Sequence, residues 1–145
     1  MPQTSASADS PASPKRGIVA SIPLKLPASF TFSFYDTSFD AVVVHGSGNG
    51  ARLTVRGQIG TVPYSAESVI ARRYVHAIVD AGKELPFAEI SLTSSQAIVV
   101  RGTMDFPDQP TPASVAAGTS VIVVALKPMV DLMTACREMA RNRVA

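Results

Sequence analysis

The chain has 145 residues, 46% of them hydrophobic and 17% charged, with a formal net charge of +2. That suits one domain with a well-supplied core and falls well short of the basic footprint of a nucleic-acid binder. The single cysteine, Cys136, excludes an internal disulfide framework and a multi-cysteine metal site.

Residues 1–15 are rich in Ser, Ala and Pro and carry no large apolar side chain beyond Met1, so they read as a disordered tail. They lack the apolar core of a signal peptide, and no apolar run along the chain reaches bilayer-spanning length. The expectation is a cytoplasmic protein with no membrane span, folded as a single α+β domain over residues 16–145.

Residues 17–26 contain Ile18, Val19, Ile22, Leu24 and Leu26, with Pro23 among them, which predicts an edge strand or an extended lead-in. Phe30, Phe32 and Phe34 alternate with Thr31 and Ser33, the period-2 pattern of a half-buried strand. A turn at 36–38 leads to a β-branched strand over 41–45, and Gly46-Ser47-Gly48-Asn49-Gly50 turns the chain again. Those glycines join two strands and do not open a helix, so they predict a hairpin and not a phosphate cradle, with Asn49-Gly50 taking positive φ.

Leu53-Thr54-Val55-Arg56-Gly57-Gln58-Ile59 follows as a strand. It is echoed by Ile98-Val99-Val100-Arg101-Gly102-Thr103-Met104, which shares Val-Arg-Gly and suggests a pseudo-repeat of strands plus helix. Gly57 marks a candidate bulge. Ser65 as N-cap, Glu67 in the first turn and Gly82 beyond the end frame a helix. Its apolar stripe is Ile70, Tyr74, Ala77, Ile78 and Ala81. A strand over 88–92 and a polar turn at 93–96 precede the echo strand. Pro107, Pro110 and Pro112 predict an irregular loop, and the apolar run 121–126 reads as a central buried strand, although a buried helical turn has the same composition. Pro128 then opens a last helix over about 128–142. The expected fold is a mainly antiparallel sheet in the order β-β-β-β-α-β-β-β-α, with two helices on one face. This order resembles that of small secretion-chaperone-like and other β-rich α+β adaptor folds, although no sequence motif joins the chain to them.

The chemistry-bearing residues form no diagnostic constellation. His45 and His76 lack a second ligand at a metal-binding spacing, and His76 with Asp80 reads as a surface pair one helical turn apart. Cys136 sits on the apolar stripe of the last helix and reads as a packed residue. No Gly-x-Ser-x-Gly elbow and no defensible carboxylate pair occurs. No catalytic residue, cofactor or metal is therefore expected.

Partner or anion contacts are assigned to Arg52, Arg56 and Arg101 on the sheet and to Met129, Met133 and Met139 on the last helix. Arginine's fork suits carboxylate or phosphate, and methionine suits adaptable apolar surfaces. Cross-strand pairing of the arginines with Glu89 and Asp105 is the competing structural explanation. The functional expectation is a non-catalytic protein-interaction module, an adaptor, assembly factor or chaperone-like subunit, that self-associates. The alternatives are a nucleic-acid or anion-binding protein using the sheet arginines, with Arg72 and Arg73 as further contacts, and a small-molecule binder or enzyme with a pocket between sheet and helices.

Overall fold

A computed structural model of the chain describes residues 22–63 and 69–144. The expected tail, the first half of the lead-in, and Ser65 and Glu67 lie outside the described residues.

Five strands form one antiparallel sheet: β1 (Ala28–Phe34), β2 (Thr37–His45), β3 (Ala51–Thr61), β4 (Ala88–Leu92) and β5 (Ala97–Phe106), side by side in the order β1-β2-β3-β5-β4. Helix α1 (Val69–Gly82) connects β3 to β4, and helix α2 (Pro112–Val144) follows β5. The described order is β-β-β-α-β-β-α, the α+β class the sequence predicts with two strands fewer.

Local chemistry explains the joints. Tyr35 and Asp36 take φ of 49° and 62° and close the β1–β2 hairpin, because a two-residue type I′ turn needs both central residues at positive φ. Strand β2 therefore begins at Thr37, earlier than the expected 41. In the loop before β3, Gly48 is the residue at positive φ. Gly50 is needed for another reason: a Cβ there would meet the Phe106 carbonyl oxygen. The register between β3 and β5 shifts between Gln58 and Gly60, so the bulge falls beyond Gly57.

Residues 22–27 form no strand. Pro23 and Pro27 cannot donate to a ladder, and Leu24 instead gives its N–H to the Pro110 carbonyl at 2.8 Å.

The largest departure is α2. The expected strand over 121–126 is helical, and α2 runs unbroken from Pro112 through Pro128. Thr111 caps its start: Ser114 donates its backbone N–H to Thr111 Oγ1 at 3.1 Å, and Thr111 donates its own to Ser114 Oγ at 2.8 Å. With proline at the first helical position this is a reciprocal capping box, the signal overlooked in a segment read as loop. Pro128 lacks the N–H that would bond the Val124 carbonyl, and it does so on the outer side of the helix, where Val124 is 69% exposed.

One sheet face carries the core. Phe39, Ala41, Val43, Leu53, Val55, Ile98 and Val100 are fully buried beneath Ile122, Leu126, Val130 and Met133 of α2. Val75, Ile78 and Val79 of α1 complete the same cluster. Both helices lie on this face, since positions on β3 and β5 meet α2 and Ile90 on β4 meets Gly82 of α1.

Candidate functional site

On the sheet's open face, Arg56 and Arg101 are direct partners across β3 and β5, and Asp40 and Glu89 are their outer neighbours on β2 and β4. The row across four strands therefore reads acid, base, base, acid. Like charges directly opposite repel, while each flanking acid offsets its neighbouring arginine. Among the described residues, no ion pair within 4.0 Å links Arg56 or Arg101 to an acid. The two arginines share a shallow depression of about 440 Å³ with Thr54, Glu89, Ser91 and Val99.

Arg52 stands apart. Its Nε donates to Asp105 Oδ1 at 2.7 Å and its Nη2 to Oδ2 at 3.2 Å, a bidentate pair across β3 and β5. The hydrogen bond to Arg52 holds the Asp105 carboxyl below its usual range, and the same bond holds the arginine above its own. Arg72 is also committed, donating from Nη1 to the Pro63 carbonyl at 3.0 Å and tying α1 to the end of β3. Arg73 is exposed on α1.

The methionines divide differently from the sequence assignment. Met129 and Met133 are buried under α2, with Met133 Cε near Gly60, and Met139 is half-buried. Their flexible side chains fill the space between helix and sheet, so the first two are packing residues and not surface contacts. Cys136 is buried beside them, and burial pushes its thiol pKa up, which keeps it protonated. His45, at the end of β2, and His76, on α1, are both exposed. Among the described residues no group of three metal-capable side chains converges.

The outer surface of the helical layer holds what the sequence reading missed. On α2, Ala113, Ala117, Val121, Val124, Pro128, Leu132 and Ala135 are all exposed. At about 100° per residue these seven fall within one sector of roughly 100°. Val121 and Leu132 are each 46% exposed and Val124 69%. Polar residues Ser120, Lys127, Asp131 and Glu138 border one flank only. That flank faces the β1–β2 turn, because the Lys127 ammonium lies 5.2 Å from the centre of the Tyr35 ring.

Helix α1 repeats the theme. The stripe expected to face the core, Ile70, Tyr74, Ala77 and Ala81, is exposed, and only Ile78 of that set is buried. The core side is Ala71, Val75, Ile78, Val79 and Gly82. Both helices are thus apolar on two adjoining faces.

Between β1 and the start of α2 lies an open apolar groove of about 530 Å³, lined by residues including Phe30, Phe32, Pro112 and Val115. Its polar contribution is slight: Ser29 lines it, and Thr119 Oγ1 donates to the Val115 carbonyl at 2.8 Å. Among the described residues no buried side-chain polar atom lacks a partner, so no buried polar side chain in the groove is left unpaired.

No protein-family model and no curated protein matches the chain. A solved structure similar to it is that of YbjN, a proposed transcription regulator from E. coli. The likeness has 13% identity and a TM-score of 0.43, and it covers 90% of this chain and 93% of that one. At this level it assigns neither family nor activity to this chain.

The stretch Pro112–Met139 of α2 is long and apolar enough to cross a membrane by length and composition, with a hydropathy of 1.7, although 39% of its apolar window is buried in the fold. The sequence shows no such run to the eye because Lys127, Pro128 and Asp131 interrupt it. Its inner side packs on the sheet as a core helix does, and its outer stripe raises the average.

Proposed function

We propose that this protein is a cytoplasmic, non-catalytic interaction module that self-associates through the outer face of its helical layer. The observation that supports this reading is the exposed stripe of α2 centred on Val121, Val124 and Leu132. Scattered apolar residues on a surface need no explanation, whereas a contiguous apolar stripe on a regular helix marks a surface that meets another. Its occupant is taken to be a second copy, since a helix face of this kind pairs with its own equivalent about a two-fold axis.

Val124→Asp and Leu132→Asp place charge in the middle of the stripe without touching the core. By light scattering after size exclusion, the natural chain is expected to run as a dimer and both variants as monomers. A natural chain that stays monomeric at high micromolar concentration would refute the reading.

A second reading, anion binding on the sheet's open face, draws support from the side-by-side placement of Arg56 and Arg101. An anion between them would relieve their repulsion. Asp40 and Glu89 reduce the local positive charge, which ranks this reading second. It predicts affinity for a polyanion that falls steeply with salt and is lost in Arg56→Ala/Arg101→Ala. Binding that ignores both salt and the substitutions would dismiss it.

A further inference from the structure

The stripe on α2 has a spacing that constrains how a partner helix can lie on it. From Ala113 through Ala117, Val121, Val124, Pro128, Leu132 and Ala135 to Met139 the steps are 4, 4, 3, 4, 4, 3 and 4. That is an eleven-residue repeat of about 3.67 residues per turn, close to the natural helical period, so the stripe runs nearly straight along the axis. At 1.5 Å per residue it is about 40 Å long. The small residues Ala113, Ala117 and Ala135 lie towards its two ends, and the larger Val121, Val124 and Leu132 occupy the middle.

The charges beside the stripe are arranged about the same middle. Lys127 and Asp131 lie on one flank, one turn apart, on either side of position 129. Lys127 Nζ reaches Asp131 Oδ2 at 2.7 Å within the helix, and both side chains are about half-exposed. When two identical helices pack antiparallel, like flanks meet, so residues equidistant from the two-fold point face each other. With that point near 129, Lys127 of one copy lies beside Asp131 of the other, twice over. The same point brings Val124 to within two residues of Leu132 and Val121 to within two of Ala135. In a parallel pair unlike flanks meet, so Lys127 and Asp131 of one copy would lie across the seam from those of the other and could not exchange partners.

We infer that two copies pair through α2 in an antiparallel arrangement about residues 128–129, with Lys127 and Asp131 exchanging partners between copies. This deepens the self-association reading and rests on it. The steric and electrostatic conditions agree: the apolar pattern, the small residues towards its ends and the charge order are each self-complementary under one two-fold operation.

A charge swap tests it. Lys127→Asp alone places acid against acid at both crossings, and Asp131→Lys alone places base against base. Each is expected to weaken self-association about tenfold or more, with an unchanged circular-dichroism spectrum. Mixed in equal amounts, the two variants should form a heterodimer tighter than either homodimer, measured by sedimentation velocity with one chain labelled. The rescue cannot come from the bond within the helix, because each variant chain keeps its own like pair. A natural dimer whose two variants fail to rescue each other overturns the antiparallel arrangement and leaves self-association standing. A natural chain that is monomeric overturns both. A monomer that floats with phosphatidylcholine vesicles also overturns both, and makes lipid the occupant of the stripe.

Discussion

The repeated Val-Arg-Gly has a local meaning that its spacing of forty-five residues conceals. Val55-Arg56-Gly57 and Val100-Arg101-Gly102 lie opposite each other, with Val55 against Gly102, Arg56 against Arg101 and Gly57 against Val100. Each inward valine thus faces a glycine, and both glycines sit where something presses on the sheet. A Cβ at Gly57 would come within 2.5 Å of the Phe39 ring, and one at Gly102 would collide with Ile122 Cγ2. The glycines are contact points for the core, and the arginines follow by alternation on the other face. Gly102→Ala should therefore lower stability by about 1–3 kcal/mol through overpacking, read as a fall in the urea midpoint at unchanged slope. An unchanged midpoint would mean that Ile122 yields freely. The identity of the triplet was plain in the sequence. That the two copies are neighbours was not, because pairing over such a separation depends on the order of the strands.

Helix α2 shows how composition and periodicity part company. Val121-Ile122-Val123-Val124 has the β-branched character of a strand, and a sequence apolar on both of its helical faces shows little contrast for a period to reveal. Three-dimensional packing overrides the propensity: Val115, Ile122, Leu126, Met129 and Met133 all meet the sheet from one side only if the segment is helical. The same reasoning applies to α1, where either of two adjoining apolar stripes could have faced inward. Pro128 is the weak point of α2. Pro128→Ala restores the bond to the Val124 carbonyl and removes the ring's clash, and it should stabilise the fold by up to about 3 kcal/mol. Calorimetry checks this: a lower melting temperature would mean that the proline shapes α2 to fit the sheet.

At the scale of the whole molecule, the sheet order β1-β2-β3-β5-β4 brings the two longest strands, β3 and β5, together at the centre. Helix α2 crosses over them, and α1 covers the β4 side. The two surfaces that result differ in character. The open sheet face mixes polar side chains and a self-neutralising row of charge with the exposed Val42 and Val44, whereas the outer helical face carries the long apolar stripe of α2. Proposed self-association belongs to the helical face, where removal of apolar area from water is the driving force.

By itself, the sequence determined the α+β class, the hairpins, the helix ending at Gly82, the packed cysteine and the inward alternation of the strands. Each depends on turn chemistry or on a period within a dozen residues. The tertiary structure alone decided the length of α2, which stripe of each helix faces the sheet, and that Arg52 belongs to Asp105 while Arg56 and Arg101 stand side by side. Those outcomes turn on which surface wins burial among several apolar ones, and on which strands become neighbours. That competition is settled by packing across the whole chain.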